Sequence, residues 1–121
     1  MRKTRRSPSL PLRVRIPPKK VREKFLIIYE LEGCQKAVNF LTEYYSVRRM
    51  KVILDGKRVG KGYSGYYINN RAYFTKRGLT KRIILHELDH HLIDARGLEM
   101  PIGNEEKEAN GYARAFLNKS F

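Results

Sequence analysis

The sequence predicts an α+β domain, a small antiparallel sheet packed on two C-terminal helices and preceded by a basic extended arm. Three observations carry that expectation. Residues 51–74 place runs rich in β-branched and aromatic side chains around two turn signals, Asp55-Gly56 and Asn69-Asn70, the pattern of about three short strands. Residues 79–96 run without Gly or Pro, set Leu79, Ile83, Ile84, Leu88 and Leu92 on one helical stripe, and stop at Gly97. Residues 1–20 contain four of the five prolines, each removing an amide donor and disfavouring helix before it.

With 121 residues the chain has room for one domain, which buries roughly two thirds of its unfolded surface. The expected division is the arm over 1–20 and a domain over 21–121. Val21 to Leu31 is apolar with interspersed charge, and its periodicity fits a strand or a helix. Cys34 to Tyr45 follows Gly33 with Ala37, Val38, Leu41, Tyr44 and Tyr45 at helical spacing. After the sheet and the helix over 79–96, Asn104 reads as an N-cap before Glu105 and Glu106. Ala109, Tyr112, Ala113, Phe116 and Leu117 then give a closing helix its apolar face.

Charge is distributed unevenly. Residues 1–24 hold ten Lys/Arg and one acid, residues 25–78 ten and four, and residues 79–121 six and seven. A basic arm of this kind reads either as a nucleic-acid or acidic-partner contact through residues 1–24, or as a solvated tail. The absence of aromatics from it favours the tail. The longest apolar run, Phe25 to Tyr29, is far below the roughly 18 to 20 residues that cross a bilayer. The basic start is followed by Ser7-Pro-Ser-Leu-Pro rather than by an apolar signal segment. One cysteine makes no internal disulfide, so the expected setting is reducing and cytoplasmic.

The chemistry concentrates in His86-Glu87-Leu88-Asp89-His90, an HExxH pattern inside the most regular helix. Histidines at i and i+4 lie about 40° apart, one turn along the same face, so both imidazoles reach one ion. Glu87, displaced by about 100°, stands beside the open position, where it takes a proton from water. A catalytic zinc needs a third protein ligand. His91 points elsewhere, and the longer HExxHxxGxxH pattern fails at Ile93 and Arg96, which excludes metzincins. That leaves Cys34 or a carboxylate. Asp94 sits a further turn along the same helix, whereas Glu106 lies 16 residues past His90, across a Gly/Pro-containing connection that lets the last helix fold back. Glu105 competes with it wherever the helix boundary shifts by one residue.

Residues His86-Glu87-xx-His90 followed by Glu106-Lys-Glu-Ala-Asn110-Gly-Tyr-Ala resemble the gluzincin arrangement of zinc metallopeptidases, in particular the minimal single-domain minigluzincins and the ImmA/IrrE-type peptidases. Tyr112 stands where the latter usually carry Phe. The resemblance covers about residues 45–118 and implies a zincin-like domain with one Zn²⁺ held by His86, His90 and Glu106. It further implies Glu87 as the catalytic base, Asn110 as the partner of His86, and an edge strand beside the zinc helix that pairs with substrate backbone. Ala72, Tyr73 and Phe74 occupy that place in chain order. The tyrosines Tyr63, Tyr66, Tyr67 and Tyr73 are cleft-lining or packing residues, and Tyr112 and Arg114 are candidates for the oxyanion donor.

The expected function is therefore zinc-dependent hydrolysis of a peptide or protein substrate, active or latent beneath the arm. Two alternatives stand beside it. Glu32-Gly33-Cys34 with the HExxH helix resembles two of the three motifs of peptide deformylases, with Cys34 as third ligand, although Gln35 departs from that pattern. A non-enzymatic DNA-associated protein would keep zinc for structure and use the arm.

Overall fold

A computed structural model of the chain describes residues 13–118, four helices and one three-stranded sheet. The arm expected over 1–20 lies outside the described residues up to residue 12. Residues 13–18 are non-helical, and Lys19 and Lys20 already belong to the first helix. That non-helical stretch is tied to the domain at each step. The amides of Arg13 and Val14 donate to the two carboxylate oxygens of Glu108 at 3.0 and 3.1 Å, and Val14 is fully buried. The Tyr45 hydroxyl donates to the Arg15 carbonyl at 2.6 Å, and Arg22 donates to that of Pro17.

Helix α1 spans Lys19–Glu32 and α2 spans Cys34–Tyr44, so the ambiguous segment 21–31 is helical. Gly33 breaks the two at φ +97°, a conformation that a side chain would strain. Strands β1 (Lys51–Leu54), β2 (Gly65–Ile68) and β3 (Arg71–Phe74) follow, then α3 (Lys81–Ala95) and α4 (Ile102–Asn118).

The sheet is mixed, which corrects the expected antiparallel arrangement: its order is β1-β3-β2, with β3 parallel to β1 and antiparallel to β2. The cause lies in the two turns. Asn69 and Asn70 both take positive φ, the requirement of a tight hairpin, and they fold β3 directly onto β2. The Asp55-Gly56 turn instead closes on itself, with Arg58 and Val59 amides donating to the Asp55 and Gly56 carbonyls. The chain then crosses to the far edge before β2 begins.

At the other edge, β1 is covered by a side chain. The Gln35 amide accepts from the Val52 amide at 2.8 Å and donates to the Met50 carbonyl at 3.0 Å, as a neighbouring strand would.

Helix α3 is central. Thr80 caps it, its hydroxyl accepting from the Ile83 amide, and Gly97 at φ +65° ends it. Nine of its 15 residues are buried, including Glu87, Asp89, His90 and His91, because the sheet packs on one side and α4 on the other. Helix α4 begins at Ile102, two residues before the Asn104 cap expected from the sequence, with Glu105 bonding back to the Pro101 carbonyl. The core gathers Phe25, Leu41, Met50, Phe74, Leu85, Leu88, Tyr112 and Phe116 from all four helices and the sheet. No helix among the described residues is long and apolar enough to cross a membrane.

Candidate metal centre

The i, i+4 spacing on α3 brings the His86 and His90 rings to 5.0 Å between centroids, with their Nε2 atoms 3.3 Å apart. Contacts then advance along α4 as they retreat along α3, so the two helices run antiparallel at this point. The Glu106 carboxylate spans both rings, Oε1 lying 3.1 Å from His86 Nε2 and Oε2 2.9 Å from His90 Nε2. These three side chains form a group whose donor atoms all lie within 4.8 Å of one another.

The donor set fits a tetrahedral zinc. At bond lengths of about 2.0–2.1 Å, neighbouring ligand atoms around such an ion stand about 3.3 Å apart, close to the separations observed. Burial, reinforced by the neighbouring His90, holds the His86 ring below its ordinary pKa, against Glu106 and Asn110. A neutral ring keeps the lone pair that a metal needs.

Around this triangle, Glu105 meets His90 through the other ring nitrogen, Nδ1, and Asn110, one turn past Glu106, reaches the His86 ring. Each histidine is thus oriented from α4 on a separate side. The competition between Glu105 and Glu106 resolves into two positions, one carboxylate between the rings and one behind His90.

Glu87 is buried, and burial pushes its carboxyl up to about 7, His90 opposing and Glu106 adding to the shift. It lies against bare backbone. A Cβ on Gly65, the first residue of β2, would stand 3.0 Å from Glu87 Oε2 and 3.2 Å from its Cγ. Gly65 was not singled out from the sequence, although a glycine opening a tyrosine-rich strand is a usual mark of close approach. Gly78 packs against the residue just before the same strand, since a Cβ there would fall 2.1 Å from the Ser64 carbonyl oxygen.

The centre opens into a cleft of about 850 Å³ between the β1–β2 connection, β2, α3 and α4. Its open sheet edge is β2. The expectation that Ala72, Tyr73 and Phe74 form the edge strand is corrected, because β3 is the middle strand, bonded on both sides, with all three residues buried. Tyr63 and Tyr66 are exposed and line the cleft. Tyr73 instead stacks on Tyr66, and the Tyr67 hydroxyl bonds Asp94 at 2.7 Å and His91 Nδ1 at 2.9 Å.

His91 points away from the other two histidines, as the helix spacing implied, and is buried with its Nε2 also meeting the Arg48 carbonyl at 2.6 Å. Tyr112 is excluded as an oxyanion donor: it is fully buried and its hydroxyl is paired with that of Tyr45 at 2.8 Å. Arg114 is exposed and does not line the cleft, and Cys34, half-buried at the start of α2, stands apart from the His–Glu group.

A further acid was not foreseen. Asp89 is fully buried beside His90, and neither carboxylate oxygen has a hydrogen-bond partner among the described residues. Burial, then Glu108 and Glu105, push its carboxyl up to about 8.

No family model, curated protein or solved structure matches this chain.

Proposed function

We propose that the protein is a zinc-dependent peptidase of minimal zincin-like architecture, with His86, His90 and Glu106 as the metal ligands and Glu87 as the catalytic base. The observation that carries this reading is the triangle of two Nε2 atoms and one carboxylate, 2.9–3.3 Å on its edges, with Glu87 in the same cleft. When bound, zinc supplies the acidity that a water molecule lacks and draws electron density from the carbonyl to be attacked.

The chain's own part is proton handling and orientation. As a carboxylate, Glu87 takes a proton from water as the new C–O bond forms, and delivers it to the amine nitrogen as the C–N bond breaks. A pKa near 7 suits both directions of that transfer, and a nearby divalent cation shifts it towards the ionised form. Asn110 and Glu105 hold the rings, and β2 offers its unpaired backbone to an extended chain.

Cys34 stands outside the donor group, so the deformylase alternative draws no support from the geometry. The deciding experiment measures zinc stoichiometry and peptide cleavage on the same preparations. Glu106→Ala loses stoichiometric zinc and Cys34→Ser keeps it; the opposite pattern overturns the ligand assignment.

A further inference from the structure

Charged side chains of both signs line the cleft. Its acids gather around the histidines: Glu106 is shared by the two rings, Glu105 faces His90, and Glu87 is buried against Gly65. The same cleft is lined by two exposed arginines, Arg58 on the β1–β2 connection and Arg82 in the first turn of α3. Neither is paired with an acid among the described residues. Arg58 rests over the Tyr73 ring at 5.4 Å from its centroid, a stacking contact that uses the guanidinium face and none of its hydrogen-bond donors. Arg82, His86 and His90 form one i, i+4, i+8 stripe on α3.

We propose that Arg82 and Arg58 form a carboxylate-recognition subsite, so that the cleft selects peptides bearing an acidic side chain near the scissile bond or presenting their own C-terminal carboxylate. The inference rests on the peptidase reading for its substrate and adds which peptides are preferred. Spacing gives the subsite its place. Arg82 is about 6 Å before His86 along the helix axis, and helical side chains lean towards the N-terminus. Its guanidinium therefore reaches roughly 6–12 Å from the donor triangle, which is two to four residues of extended peptide at about 3.3 Å each. Planar guanidinium donors match a carboxylate in bidentate fashion, which an ammonium cannot do.

The test uses the zinc-loaded full chain and fluorogenic peptides identical except for one position, carrying Glu, Ala or Lys two to four residues to either side of a fixed bond, with amidated C-termini. A second set carries Ala throughout and a free C-terminus at the same distances. Expected is a kcat/KM about tenfold or more higher for Glu than for Ala, expressed mainly in KM. Whichever set shows the preference identifies the source of the carboxylate.

Arg82→Gln and Arg58→Gln should each remove most of the preference while zinc content stays constant, and Arg82→Glu should turn it towards Lys peptides. Lys76→Gln, which removes one charge outside the cleft, should leave the preference in place; its loss there would assign the effect to the protein's overall field and overturn the subsite. Equal kcat/KM across Glu, Ala and Lys also overturns the subsite while leaving the peptidase reading intact. If the zinc-loaded chain cleaves none of these peptides, the peptidase reading falls. Fluorescence anisotropy of the same peptides then decides the subsite. Tighter binding of the carboxylate forms, lost in the two arginine variants, upholds it, and charge-independent binding overturns it.

Discussion

Replacing Asp89 by Asn should make the protein more stable, and by an amount that grows with pH. The folded chain holds this carboxyl at about 8 against an ordinary value of 3.8, so it keeps a proton that the unfolded chain releases throughout that interval. The native state is accordingly penalised as pH rises from about 4 towards 8, at about 1.4 kcal/mol per pH unit. Integrated over the interval, the penalty is about 2 kcal/mol at pH 5 and about 5 kcal/mol at pH 8.

Asn has nearly the same shape and stays neutral, and its amide is desolvated much as the protonated acid is, so it removes the pH-dependent part alone. Urea unfolding of both proteins at pH 5 and pH 8, matched for zinc content, measures the difference directly, since contributions shared by the two cancel. A difference that is constant between the two pH values would refute the reasoning. An Asn variant less stable than the parent at pH 8 would refute it as well.

Glu87→Gln should retain zinc and fold yet lose peptide hydrolysis by about 10²- to 10⁴-fold, and the parent's kcat/KM should fall on the acid side with an apparent pKa no higher than about 7. Stopped assays across pH 5–9 check both. Gly65→Ala should lower kcat by about tenfold to a hundredfold at unchanged zinc content, because the new methyl displaces the Glu87 carboxylate from a 3.0 Å approach. Deleting residues 1–12 should leave zinc content unchanged. If the basic residues of that segment bind DNA phosphates, it should also flatten the dependence of log K on log salt by about 0.9 for each phosphate no longer neutralised, as read by titration of a duplex at several salt concentrations. Deletion of 1–20 should additionally destabilise the fold, since Val14 is buried and the Arg13 and Val14 amides are bonded to Glu108.

What the sequence disclosed about the site was the part set by helical periodicity. The spacing of His86 and His90 places both rings on one turn, and a four-residue step does the same for Glu106 and Asn110 on α4. The Asn69-Asn70 hairpin was legible because adjacent positive-φ residues have few other uses. The order of the strands was not, because Asp55-Gly56 signals a local turn and carries no information on where the chain goes after it. For the same reason chain order pointed to residues 72–74 as the edge of the sheet instead of β2. Val21 to Leu31 resolved only by tertiary packing, with Phe25 meeting the Phe116 ring at 5.1 Å. The burial of Asp89 and of Tyr112 depends on how α3 and α4 press together, which no local pattern records.

The Gln35 amide on β1 gives the sheet a direction of growth. With the far edge occupied by a side chain, an extended segment joining this sheet through its full row of amides and carbonyls does so along β2, at the mouth of the cleft. A second copy of the chain pairing edge to edge would take the same row, so self-association and occupancy of the cleft exclude one another. A ligand lying along β2 would therefore compete with any such pairing, and pairing of that kind would close the cleft to an extended chain.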